Sequence, residues 1–366
     1  MSTFWQLVSG VGLLVLGAAI GLVATVAFED RMKVWLRRRD RRRLRRVNSN
    51  PNEPTPVTFQ LGDLATPCLI VEGDGLTKID EESVHLRVGP NKVELPAELE
   101  EWRREVEAEQ ERRRGVGLPH YWNGESYAVE GLTVSRRATD EAPEVFLRLC
   151  QADYYTFLTS QQLDRRFADG TTPRRRYIEP IGPQSAPAFM SCSLGTSVLV
   201  ITADNYVLLR CRSREVGSRP GFWGVSADEG LSRRLDGRRD TAPRLHEVAR
   251  RGLREELALD EDEYQLALLA FTIDVDRQQW DSIFVAYARA ATRSDLRARI
   301  TRGIPDGWEY ADSEFVPFEI DDLLSYLSRQ DRRDRLTPVL PAAVILALKY
   351  EYGRTAVERA VRKRFG

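Results

Sequence analysis

Cysteine is scarce in this chain, four in 366 residues, and Cys68, Cys150, Cys192 and Cys211 stand far apart without a C-x-x-C pair. Neither a thiolate zinc cluster nor a dense disulfide framework fits that spacing. Reduced thiols in a cytosolic setting are expected. An excess of charge of one sign is also lacking: 54 Lys and Arg face 55 Asp and Glu, for a net charge of −1. That balance argues against a general nucleic-acid binder, because the basic residues are only locally concentrated. What is present is an ordinary globular mixture, 42% hydrophobic and 30% charged, long enough for two domains with real cores.

The first strong feature is Phe4–Phe28, an apolar run without a charge. Its length suffices to cross a bilayer core of about 30 Å, so residues 4–28 are expected to form one N-terminal transmembrane helix. No basic leader precedes the run, and a dense basic block follows it, which is unlike a cleaved signal peptide. Residues 29–56 read as a basic juxtamembrane segment and a polar, proline-containing linker, NSNPNEPTP. The positive-inside rule then puts the remaining chain in the cytoplasm of a single-pass protein whose N-terminus is outside. Arg37–Arg46 is suited to an anionic membrane surface, with no specific nucleic acid required. The pair Gly17 and Gly21 is a G-x-x-x-G spacing able to support a homodimer.

Residues 57–187 read as a smaller α+β domain of unassigned role. Strands are expected at Cys68–Val71, Val84–Val88, Ser126–Arg136 and Val145–Leu149, with a charged helix through Leu99, Trp102 and Val106 and a short aromatic helix over Asp153–Asp164. Residues 188–330 show a more informative order. Ser197–Thr202 and Tyr206–Cys211 read as strands around the turn Ala203-Asp204-Asn205. A loop and an amphipathic helix follow, then strands at Tyr264–Val275 and Ile283–Ala290 and a helix at Phe318–Leu327. Residues 331–366 read as a helical extension.

The helix carries the chemistry. In GRRDTAPRLHEVARRGLREELAL, Leu245, Val248, Ala249, Gly252 and Leu253 recur on one helical face and two adjacent carboxylates close the stretch. This segment, Gly237–Leu259, resembles the Nudix box, G-x5-E-x7-R-E-U-x-E-E-x-G-U. Gly237, Arg251, Leu253, Glu255, Glu256 and Leu259 fall in register, whereas Pro243, Gly252 and Ala258 replace Glu, Glu and Gly. The order of strands and helices also resembles a Nudix domain, and implies an α/β fold: an α/β/α sandwich with a mixed sheet over 188–330.

The resemblance implies a metal-dependent pyrophosphohydrolase that cleaves a diphosphate linkage in a nucleoside diphosphate derivative. Mg2+ or Mn2+ would screen the phosphates and acidify the attacking water. Glu255 and Glu256 are the implied metal ligands, and Arg251, four residues before Glu255, can orient it. Trp223 resembles the aromatic residue that the family carries shortly before its loop. Placing the loop from Trp223 selects Glu229-Gly230 and makes 232–241 an insertion; exact box spacing selects Gly237. The first alignment makes Glu229 a substitute for the carboxylate missing at Gly252. Arg210 and Arg212 are candidate phosphate contacts, and with Trp223 the candidate substrate-binding set. Glu309 and Glu314 are acidic residues in a loop that can supply a further ligand or base. His246 lies too far along the helix to join them. A catalytically weak or inactive nucleotide-binding sensor module is the alternative, favoured by Gly252 and Pro243 and opposed by the retained Glu255-Glu256.

Overall fold

The computed structural model describes residues 58–138, 140–237, 242–304 and 307–365. The expected span at 4–28, the basic segment with Arg37–Arg46, the linker and the Gly17–Gly21 pair lie outside the described residues. Among the described residues no helix is long and apolar enough to cross a membrane.

In chain order, β1 (Gln60–Leu61) and β2 (Leu64–Ala65) form a small antiparallel pair before β3 (Cys68–Glu72). Next come β4 (Val84–Lys92), α1 (Ala97–Gly115), β5 (Glu125–Arg136), β6 (Pro143–Asp153) and α2 (Tyr154–Ser160). The second half holds β7 (Leu194–Ile201), β8 (Tyr206–Arg212), β9 (Trp223–Gly224), β10 (Ala227–Gly230), α3 (Arg233–Asp236) and α4 (Leu245–Leu257). It continues through β11 (Tyr264–Asp274), β12 (Gln279–Ala288), α5 (Arg293–Arg302), β13 (Tyr310–Pro317), α6 (Ile320–Ser328), α7 (Gln330–Arg333), α8 (Val339–Tyr352) and α9 (Arg354–Phe365).

The large sheet runs β13-β8-β7-β12-β11-β3, with β10 also on β7 and β9 on β8. It is mixed, because β12 runs parallel to β7 while β8, β11 and β13 pair antiparallel with their neighbours. Its strands alternate between two cores, as the two-residue period requires. Val198 and Val200 face one side, with Val248, Ala249 and Leu253 of α4. Leu199 and Ile201 face the other, with Leu340, Val344 and Leu348 of α8. Residues Leu340–Leu348 of α8 are buried without interruption, so this helix is apolar all round and fills the space between sheet, α6 and α9. Each fully buried Leu or Val here contributes about 1.5–3 kcal/mol.

The sheet crosses the 187/188 boundary. Its edge strand β3 pairs antiparallel with β11, Leu69 opposite Ile273. The three-stranded sheet β4-β6-β5 places Val129, Val145, Leu147 and Leu149 in the same core as α4. Pro56–Gly366 is one unit with mixed α/β architecture.

Candidate functional site

α4 is anchored by its apolar face, Leu245, Val248, Ala249, Leu253 and Leu257, all buried under the sheet. His246 is buried with them and meets Phe284 edge-on at 5.0 Å; burial brings its pKa down to about 4, so it is a neutral packing residue. The helix ends at Ala258, whose φ of 52° is left-handed, and the Leu259 N–H closes the end on the Leu253 carbonyl.

The packed face leaves Gly252 against β10. A side chain there would start 2.9 Å from the Glu229 Cβ and 3.7 Å from Glu256 Oε1. Glu229 therefore occupies the space that the Glu missing from position 252 would need. Arg251 joins the two elements: its Nη1 pairs with Glu229 at 2.9 Å and lies 3.8 Å from Glu255. Its Nη2 donates to Asp236 at 2.8 Å and to the Gly230 carbonyl at 3.0 Å. Asp236 stands on α3, in the segment that the alignment through Glu229 treats as inserted. Gly237, the alternative box glycine, closes α3 with its N–H on the Arg233 carbonyl.

Glu256 is only 2% exposed and sits on the sheet side of α4. Its Oε1 accepts from the Asp228 N–H at 3.0 Å, and its Oε2 lies 3.4 Å from Arg210 Nη1. Arg210, 1% exposed, is stacked on the Tyr310 ring at 3.3 Å. Burial pushes Glu256 up to about 8 and Glu229 up to about 7, the neighbouring Glu255 adding to the latter. Arg210 moves down from its usual value for the same reason, so desolvation of the pair exceeds its mutual attraction. Glu255 is the more open carboxylate, its side chain 33% exposed.

On the other side of β10 lies a cavity of about 50 Å³ between the sheet and the start of α8. Asp228 and Asp281 meet there across Ser197, whose Oγ lies 3.4 Å from Asp228 Oδ1 and 2.5 Å from Asp281 Oδ2. Burial, reinforced by Asp228, raises the Asp281 carboxyl well above its usual range. Arg212 pairs with Asp228, and Arg219 with Asp274. Thr337, 6% exposed, lines the same cavity, its hydroxyl without a hydrogen-bond partner among the described residues.

The structure thus brings Arg251, Glu229, Glu255, Glu256 and Arg210 together, and places Arg212 in the adjoining cavity. Trp223 does not face an opening. It is core, 5% exposed, edge-on to Tyr326 and covered by Arg332 at 3.7 Å. Arg210, expected to clamp phosphate, is enclosed and bound to Glu256. Glu314 is paired with Arg329 and Arg332, each at 3.0 Å, and Glu309 ends a short 3-10 turn whose carbonyl accepts from Ser213. Asp228, Asp236, Ser197, Asp281 and Tyr310 were not singled out from the sequence.

The residues present do not suit a resident divalent ion. Among the described residues, no group of three Asp, Glu, His or Cys side chains could hold one metal ion. Glu256 and Glu229 each have an arginine partner, while the buried Arg210 Nε and Arg251 Nε have no acceptor among the described residues. That surplus of donors suits an acceptor-rich ligand better than a cation.

No protein-family model matches the chain, and neither does any curated protein. Solved structures do. The NUDIX domain of Shewanella oneidensis NrtR, in complex with ADP ribose, is 15% identical, the match covering 43% of this chain and 86% of that one, with a TM-score of 0.27. The MutT protein of Methanosarcina mazei Go1 is 13% identical over 44% of this chain and 93% of its own, with a TM-score of 0.26. A bifunctional NMN adenylyltransferase/ADP ribose pyrophosphatase from Francisella tularensis, complexed with AMP and a Mn ion, is 12% identical over 44% of this chain and 42% of its own, with a TM-score of 0.26.

Proposed function

We propose that this chain is a Nudix-like module that binds a phosphate-bearing nucleotide derivative and hydrolyses it weakly or not at all. One observation carries the reading: the buried carboxylates of the helix site are already matched by arginines, and the donors left over lack acceptors. A divalent ion would have to displace Arg251 from Glu229 and Arg210 from Glu256, whereas a phosphate adds the acceptor that Arg251 Nε lacks and leaves the enclosed Arg210 with Glu256. Arg212 is the first contact for the ligand, exchanging Asp228 for a phosphate oxygen at the edge of the cavity. At about 50 Å³ the cavity holds a small group only, so Arg212 or Arg219 must swing aside for a nucleotide to enter. The charge-free run Phe4–Phe28 and the arginines after it support a module anchored at the cytoplasmic face of a membrane.

Hydrolysis is the second reading. It is favoured by the retained Glu255-Glu256 pair and by the partial exposure of Glu255, and would use Mg2+ or Mn2+. The two separate in one assay on the full chain, with ADP, ADP-ribose and other nucleoside diphosphate derivatives as probes. Calorimetric binding that saturates without metal, is weakened at least tenfold by Arg212→Ala and is accompanied by no phosphate release supports the binding module. Metal-dependent release abolished by Glu255→Gln/Glu256→Gln establishes the hydrolase instead.

A further inference from the structure

α9 has two faces. Val357, Ala360, Val361 and Phe365 turn inward onto the core beneath α6 and α8, and Val357 is fully buried. That packing fixes the helix rotation and forces Arg359, Arg362 and Lys363 outward, at the i, i+3, i+4 spacing of one exposed stripe. Among the described residues these three cations have no carboxylate within ion-pair distance, whereas Arg354 pairs with Asp74 and Lys349 with Glu358. The C-terminal end of α9 also lies where the described chain begins. Phe59 packs in the same core as Phe365, and a Cβ at Gly62 would overlap the Phe365 carbonyl. Residues 47–57, between the basic block and this point, can span no more than about 40 Å.

We propose that the outward face of α9, Arg359, Arg362 and Lys363, docks on the anionic lipid headgroups of the membrane that anchors the chain. The inference rests on the anchor reading for proximity. A point charge near an anionic surface shifts the docked population about fivefold, so three shift it roughly a hundredfold. Their attraction falls off within a Debye length, about 8 Å at physiological salt. A helix lying flat on headgroups needs no groove.

The test uses the full chain in liposomes of phosphatidylcholine alone or of phosphatidylcholine with phosphatidylglycerol at 3:1. Acetylation of Lys363 by a water-soluble ester is followed by mass spectrometry, with the exposed Lys92 as internal reference. Lys363 should react at least fivefold more slowly in the anionic vesicles, and 0.5 M NaCl should restore the rate. Arg359→Gln/Arg362→Gln, two solvent-facing changes that leave Lys363 in place, should restore it too. Equal rates in the two compositions, or protection that persists in the double variant, overturn the proposal. So does protection by added RNA on neutral vesicles with none from the anionic lipid. Carbonate extraction separates the two readings: a chain released by carbonate removes the anchor, while an inserted chain with unprotected Lys363 removes only the docking.

Discussion

The Glu229 Cβ stands 2.9 Å from the point where any side chain at Gly252 would begin. Strand and helix therefore meet at a distance only glycine allows, and an acidic side chain from β10 fills the place that the Nudix pattern gives to an acidic side chain on the helix. Gly252→Ala gains about 1 kcal/mol of helix propensity and meets an overlap costing about 1–3 kcal/mol. The expected net loss is about 1 kcal/mol, read as a lower urea midpoint. Because the overlap is with the Cβ, Glu229→Ala should not relieve it and Glu229→Gly should. Equal costs of Gly252→Ala in the two backgrounds would show that the contact does not govern the site.

Ala258 gives the opposite expectation. It holds a left-handed φ of 52° at the end of α4, where the Nudix pattern has glycine. Ala258→Gly removes that strain and should stabilise the chain by about 1 kcal/mol. Thermal unfolding checks it: an unchanged or lower Tm would mean the αL residue carries no strain.

Arg210 and Glu256 test the enclosed pair. At pH 9, above the folded pKa of Glu256, Arg210→Met leaves a buried carboxylate without its cation and should cost about 3–5 kcal/mol. Adding Glu256→Gln should recover most of that loss, since the amide keeps an acceptor for the Asp228 N–H. A double variant no more stable than Arg210→Met alone would place the loss in the stacking of Arg210 on Tyr310.

The same burial sets a pH dependence. Glu256 and Glu229 have folded pKa values of about 8 and about 7, above the ordinary carboxylate value, so between them the folded state holds protons that the unfolded state has released. Stability then falls as pH rises, by up to about 1.4 kcal/mol per unit for each group. His246 acts in the other direction. Its folded pKa of about 4 makes the unfolded state the better proton acceptor, so its contribution rises with pH and is complete above about 6.5. The decline should therefore show most plainly from pH 6.5 to 8, and Glu229→Gln/Glu256→Gln should make it shallower, leaving the share of the buried Asp281. Denaturant midpoints at half-unit steps decide the matter; a wild-type midpoint that climbs across this window would contradict the burial argument.

Much of this architecture is written in local pattern. The alternation in Val198-Leu199-Val200-Ile201 announces a strand with two buried sides, and the spacing of Leu245, Val248, Ala249 and Leu253 announces α4. What the pattern does not carry is distance across the chain. Ser197 meets Asp281 from 84 residues away, and Asp236 meets Arg251 only because α3 folds back beside the helix. Trp223 shows the same limit for orientation: the residue type fits a stacking platform or a core equally, and only the arrival of Tyr326 and Arg332 makes it core. Glu229 was reachable because Trp223 gave the loop a starting point.

The pairing of β3 with β11 also orders events during synthesis. Leu69 leaves the ribosome about 200 residues before its partner Ile273, roughly 10–40 s at ordinary elongation rates. Through that interval CLIVE is an apolar strand without its neighbour, open to the wrong partner. Closure of the large sheet is therefore a late step, and a nascent chain arrested before Tyr264 should be the aggregation-prone species.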